Sequence, residues 1–291
     1  MWRQLAATVA QSLAEDVSDW FIAQGALSVS LDDAGDQPLF EPPPGETPLW
    51  NLTRVTGLFE EEAVPEGLEQ FARLVFGAQI VGWSDSTLDD QVWERAWMEH
   101  FQPMQFGKRL WICPSGYEPP EPSAVNILLD PGLAFGTGTH PTTALCLRWL
   151  DSLTFDGETV LDFGCGSGIL AVAALRLGAS AAIGIDIDPQ ALIATRDNAL
   201  KNGVEDRLSC LDAAANASQA CDVVVANILA GPLVELSSRI LGHLKPGGKL
   251  ALSGILEDQA ASVRSAYEAL VTFEPDEILE GWVILKGTRK V

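Results

Sequence analysis

Three glycines at alternate positions, Gly164, Gly166 and Gly168, follow closely on an aspartate, Asp162, in the run Val-Leu-Asp-Phe-Gly-Cys-Gly-Ser-Gly from Val160 to Gly168. Glycines at that spacing let the backbone approach a ligand, and a helix starting just beyond them points free N–H groups at it. The dinucleotide fingerprint G-x-G-x-x-G needs a glycine at position 169, where this chain has Ile169. A second carboxylate, Asp186, ends the run Ala182-Ile183-Gly184-Ile185 one strand–helix unit later, where an acidic side chain can take ribose hydroxyls. Asp188 and Pro189 then read as the N-cap and first residue of a helix that stops near Asn202-Gly203.

An acid followed by G-x-G-x-G resembles motif I of the class I methyltransferases, which bind S-adenosylmethionine. That resemblance implies that Asp162 helps hold the ammonium end of the cofactor, directly or through water, and that Asp186 holds its ribose.

Two further segments concern the acceptor. Leu129 to Thr143 is loop-like, rich in glycine and hydroxyl groups, and runs into a helix N-terminus; so placed, it can lie over a bound cofactor. Asn227-Ile228-Leu229-Ala230 follows an apolar strand, and ligands of open α/β sheets sit at the carboxyl ends of strands. An amide oxygen and nearby carbonyls there can accept hydrogen bonds from an attacking amine. No residue stands out as a general base. His140, the only histidine near the cleft, reads as a loop or helix-cap residue.

These segments, with Val160–Gly168 and Gly184–Pro189, together resemble the PrmA family, the methyltransferases of ribosomal protein L11. The resemblance is tight over the catalytic half and weaker before it. It implies methylation of lysine side chains and the N-terminal amine of that one basic protein, free of the ribosome. It also implies cofactor contacts at Thr143, Gly164, Asp186 and Asn227, with Gly166 in the same loop and Asn227 orienting the amine. One departure is Gly116-Tyr117 after Ser115, where the family usually has tryptophan directly after the serine. Methyltransferases of a glutamine amide or a nucleic-acid amine carry Asn-Pro-Pro-Tyr at this strand end, and the aromatic that would stack on a flat acceptor is missing here. A non-catalytic, cofactor-binding assembly module is the reading from a different class.

The elements that must position these residues alternate strand and helix from residue 130 onward. The fold class is α/β: a Rossmann-like class I methyltransferase domain with a doubly wound seven-stranded sheet whose last strand is antiparallel. Helices are expected at Pro141–Leu153, Leu233–Leu244 and Glu257–Val271, and a closing antiparallel pair at 272–278 and 281–286. Before it, the order βαββαβ predicts a small α+β ferredoxin-like domain. Its first strand spans 2–6, and a helix over 65–76 puts Leu68, Phe71, Leu74 and Val75 inward. Pro42-Pro43-Pro44-Gly45-Glu46 reads as an exposed loop. The expected organisation is 1–86 for substrate recognition, 87–103 as a linker helix with Trp93, Trp97 and Phe101 on one face, and 104–291 for catalysis.

Composition sets the bounds. The chain has 291 residues and a net charge of −22. Residues 1–103 carry 18 acidic and 4 basic side chains, the remainder 22 and 14. Such a surface repels nucleic acid and draws in a basic protein. No run of eighteen apolar residues or leader pattern points to a membrane or to secretion. Five dispersed cysteines without a C-x-x-C pair argue for a reducing cytoplasm and against a metal site or disulfide frame. A monomer is the expected unit.

Overall fold

Val223-Val224-Val225-Ala226 is apolar at every position, as a strand buried on both faces must be. In the computed structural model of the chain, Val223 and Val225 enter one core layer and Val224 and Ala226 the other. The structure describes residues 2–35, 37, 49–88, 102–130, 140–213 and 220–291. The chain divides into two compact units, 1–96 and 97–291.

The first unit runs β1 (Trp2–Ala10), α1 (Ala14–Ala23), β2 (Ser28–Asp33), β3 (Leu52–Glu60), α2 (Leu68–Phe76) and β4 (Gly82–Leu88). Its sheet order is β2-β3-β1-β4 with every pair antiparallel, the ferredoxin-like arrangement. Leu5, Ala7 and Val9 alternate along β1 into a core with Val17, Phe21, Val55 and Phe59.

Three expectations for this unit need correction. β1 extends to Ala10, because all nine residues find partners on β3. The buried stripe of α2 is Leu68 and Ala72, while Phe71, Leu74 and Val75 are 44%, 81% and 50% exposed. Two stripes of this helix satisfy the helical period, and the one with the small Ala72 lies in the core; Phe71 packs at a tilt on Trp20 instead, ring centroids 5.7 Å apart and planes at 53°. The Pro42–Glu46 loop and the Trp93, Trp97 and Phe101 stripe lie outside the described residues. Residues 87 and 88, expected in the linker helix, end β4.

The second unit opens with a small sheet, β5 (Met104–Phe106), β6 (Leu110–Cys113) and β7 (Val125–Leu128). Gly116-Tyr117, the departure noted above, forms a tight turn: Tyr117 N–H donates to the Pro114 carbonyl, and Gly116 supplies the φ of +90°. The main body follows as α3 (Pro141–Ser152), β8 (Thr159–Phe163), α4 (Ile169–Arg176), β9 (Ala181–Asp186), α5 (Pro189–Lys201), β10 (Leu208–Asp212) and β11 (Cys221–Asn227). It continues through α6 (Ala230–Glu235), α7 (Ser237–Gly242), β12 (Leu244–Leu256), α8 (Ala260–Tyr267), β13 (Val271–Phe273), β14 (Glu277–Leu279) and β15 (Trp282–Arg289).

The sheet order is β10-β9-β8-β11-β12-β15-β13. The first five strands are parallel and β15 is antiparallel to its neighbours. Seven strands with an antiparallel last strand are as expected. β14 adds an eighth strand on β15, because Pro275 interrupts what reads in sequence as one strand. The helix expected over 233–244 is two short helices meeting at Leu236. Strand order reverses between β8 and β11, which sets a crevice at their carboxyl ends.

Candidate active site

β8 delivers the chain to that crevice. Gly164, Gly166 and Gly168 adopt φ of +77°, +53° and +75°, a backbone path that disfavours any residue with a Cβ. The loop is tied to the next unit by backbone: the N–H groups of Gly164 and Cys165 donate to the Ile185 carbonyl at 2.7 and 3.0 Å. Helix α5 holds its other side, with Thr195 Oγ1 donating to the Gly166 carbonyl and Asn198 Nδ2 to that of Ser167.

Asp186, at the end of β9, organises the loop. Its Oδ2 accepts the Gly166 N–H at 2.9 Å and its Oδ1 the Asp188 N–H at 3.0 Å. Asp188 in turn caps α5 through the Gln190 N–H, with Pro189 in the first turn. The carboxylate keeps further lone pairs for a ligand.

Asp162 is fully buried. Its Oδ2 accepts the Ala171 N–H of α4 at 3.1 Å, while its Oδ1 has no hydrogen-bond partner. Burial pushes this carboxyl up to about 7; the Asp186 charge adds to the rise and the Ala171 N–H opposes it. An unpartnered, buried carboxylate oxygen beside a glycine loop suits a cationic ligand.

Across the crevice, Asn227 ends β11 and Thr143 is buried in the first turn of α3. Asn227 Nδ2 donates to Thr143 Oγ1 at 3.2 Å, so the structure joins two residues 84 positions apart. His140 is the N-cap of α3: its Nδ1 faces the Thr142 hydroxyl at 2.8 Å and accepts the Thr142 N–H at 3.4 Å. Burial lowers its pKa, against the pull of Glu280, which favours the neutral ring that a capping lone pair needs. Its ring stands edge-on to Trp282, centroids 4.8 Å apart.

Sequence reasoning missed Asp212. It ends β10 directly opposite Asp186 in the parallel register, and the Ala213 N–H beyond it donates to the Asp186 carbonyl. The signal was the one that found Asp186, a carboxylate closing an apolar strand. It also missed Ile228. A Cβ on Gly164 would overlap the Ile228 Cγ2 methyl, so the glycine there answers first to the protein's own packing. Residues 131–139 of the expected covering loop lie outside the described residues. Among the described residues, no cluster of three or more metal-ligating side chains occurs, and no helix is long and apolar enough to cross a membrane.

The sequence model of the family described as "Ribosomal protein L11 methyltransferase (PrmA)" matches residues 1–290. The chain belongs to that family. It is 54% identical over 292 residues to the ribosomal protein L11 methyltransferase of Methylococcus capsulatus, covering all of both chains. It is 52% identical over 290 residues to that of Azotobacter vinelandii, covering 99% of each. A crystal structure of the ribosomal protein L11 methylase of Lactobacillus delbrueckii subsp. bulgaricus is 32% identical. It superposes with a TM-score of 0.61 over 66% of this chain and 100% of that one. The chain is thus a methyltransferase, and S-adenosylmethionine is the family's methyl donor. The groups present fit that donor: the orphaned Asp162 oxygen suits a cation, the Asp186 carboxylate suits hydroxyls, and the loop of positive-φ glycines keeps side chains out of the cradle.

Proposed function

We propose that this enzyme transfers methyl groups to amines of ribosomal protein L11, at lysine side chains and the N-terminal amine. The carrying observation is the orientation of Asn227. With Nδ2 committed to Thr143, the amide offers Oδ1 as an acceptor, the polarity an amine N–H requires. The substrate comes from the family and from charge: a net −22 favours docking of a basic protein and disfavours nucleic acid.

When bound, the cofactor supplies an electrophilic methyl on a sulfonium. In this reading Asp162 holds its cationic tail, Asp186 its ribose, Asp212 its adenine amine, and Gly164, Gly166 and Thr143 shape the cradle. Asn227 aligns the neutral amine for in-line attack. The protein needs no strong base, because desolvation in the crevice and the nearby cation both favour the unprotonated amine. Residues 1–86 with the linker select the substrate, and mobility of this N-terminal domain brings several amines to one site. The enzyme works as a cytoplasmic monomer on the free ribosomal protein; its free cysteines suit that compartment.

The test is incubation with radiolabelled S-adenosylmethionine and purified ribosomal proteins, followed by acid hydrolysis. Label recovered as methylated lysine and methylated N-terminal residue of L11 is the expected result. Label released as methylamine, the hydrolysis product of a methylated glutamine amide, or cofactor binding with no transfer, overturns it. A fragment beginning near Gln102 should bind the cofactor and leave L11 unlabelled.

A further inference from the structure

Ile228 stands directly after Asn227, and two glycines from separate elements fix it. A Cβ on Gly164, in the loop after β8, would overlap its Cγ2 methyl, whereas its Cβ lies 3.8 Å away. A Cβ on Gly254, in β12, would overlap its carbonyl oxygen and come within 2.8 and 3.2 Å of its backbone carbon and nitrogen. Gly254 has φ of +86° and sits where the β12–β15 register shifts, between Leu252 and Ile255. Such a bulge re-aims the backbone locally. Here it sets Gly254 against the backbone of residue 228 while the donor loop bears on one methyl of its side chain. Ile228 is half-buried and packs on the core layer containing Phe163, Ala226 and Leu252.

We propose that Ile228 is a positioning residue for methyl transfer: its Cγ2 methyl couples the donor's glycine loop to the strand end that presents Asn227, and Gly254 is the backstop. The role of Asn227 in this rests on the amine reading above. Only the β-branch reaches Gly164, so the shape of the side chain matters more than its volume. Ile228→Val keeps Cγ2 and loses a terminal methyl. Ile228→Leu keeps the volume and loses the β-branch.

Single-turnover transfer to L11 at saturating cofactor, with thermal unfolding as the control, separates the possibilities. Coupling predicts a loss of about ten- to a hundredfold in the chemical step for Ile228→Leu, with less than about threefold for Ile228→Val, on the scale of misplacement penalties. Simple core filling predicts the reverse order, because volume-conserving exchanges are tolerated best; that order overturns the proposal. A second arm needs no acceptor. By calorimetry with S-adenosylmethionine alone, Gly164→Ala should bind at least about tenfold more weakly, and adding Ile228→Ala should recover the part of that loss due to the overlap, at least about threefold, while the strain of a Cβ at φ +77° remains. Absence of that recovery rejects the coupling whatever the acceptor is. Failure to label any amine, with recovery intact, rejects the amine reading alone.

Discussion

On the glycine-loop side of the sheet's carboxyl edge, proposed for the donor, the candidate side chains are carboxylates anchored by backbone N–H groups: Asp162 by Ala171, Asp186 by Gly166 and Asp188. On the β11 side, proposed for the acceptor, they are neutral: the Asn227 amide on Thr143, and the His140 ring on Thr142. In the amine reading proposed above, the difference follows from the two ligands' charges. A permanently cationic donor gains from buried negative charge. An amine must lose its proton before it attacks, and a carboxylate beside it would hold the proton on. In this reading one half of the edge presents carboxylates to its ligand and the other presents an amide.

The largest expected effect concerns Asp162. Its carboxyl, raised to about 7 when buried, falls to about 3.9 in the unfolded chain. The folded pKa is above the unfolded one, so this group's contribution to stability is complete below about pH 4 and is lost as pH rises through 7. Up to about 4 kcal/mol rides on it in the free protein. Unfolding measured from pH 5 to 8 should show wild type losing stability relative to Asp162→Asn, and cofactor should restore more of it at pH 8 than at pH 5. Parallel curves for the two proteins would refute a buried, proton-bearing Asp162.

Asn227 tests the neutral half. Asn227→Ala should slow the chemical step about ten- to a thousandfold while changing cofactor affinity less. Asn227→Asp is sharper. A carboxylate there should raise the acceptor's pKa and move the rising limb of the pH–rate profile to higher pH by about one unit or more. An unshifted profile would mean that the neutrality of this side carries no chemical meaning. Asp186→Ala should weaken cofactor binding by about 1.5–3 kcal/mol, the scale of hydrogen bonds to a charged group, as read by calorimetry on folded protein.

The half proposed for the donor is the one whose residues stand out in the sequence. Its determinants are local: a glycine spacing, an acid two residues before it, and a second acid at the end of the next strand. The strands of the sheet were legible as well, because strands buried on both faces read as unbroken apolar runs such as Val223–Ala226. What stayed hidden depends on contacts between distant segments. The stripe of α2 that faces the sheet is decided by how closely Ala72 lets the helix approach, which periodicity does not encode. The place of Ile228 between Gly164 and Gly254 joins three segments across ninety positions. The Asn227–Thr143 bond spans 84 residues, and neither side chain announces the other.

His140 carries the smallest effect and the finest test of the comparison. As N-cap of α3 it fixes the first turn that contains Thr143, and Thr143 fixes Asn227. His140→Ala should cost about 1 kcal/mol of stability, the usual worth of a cap, and His140→Asn should return most of it, since asparagine caps well. The cap works only through an unprotonated Nδ1, and burial lowers the folded pKa below its ordinary value. The group therefore contributes stability above about pH 6.5 that is lost as pH falls through its depressed folded pKa. The stability difference between wild type and His140→Asn should accordingly be small at pH 7.5 and should widen below pH 6 in favour of asparagine, whose cap does not titrate. Taking the difference between two proteins that both keep Asp162 cancels the opposite trend of that carboxyl. A difference that stays flat from pH 7.5 to 5 would show that the ring caps the helix through contacts indifferent to its charge, and the acceptor side would then owe its neutrality to Asn227 alone.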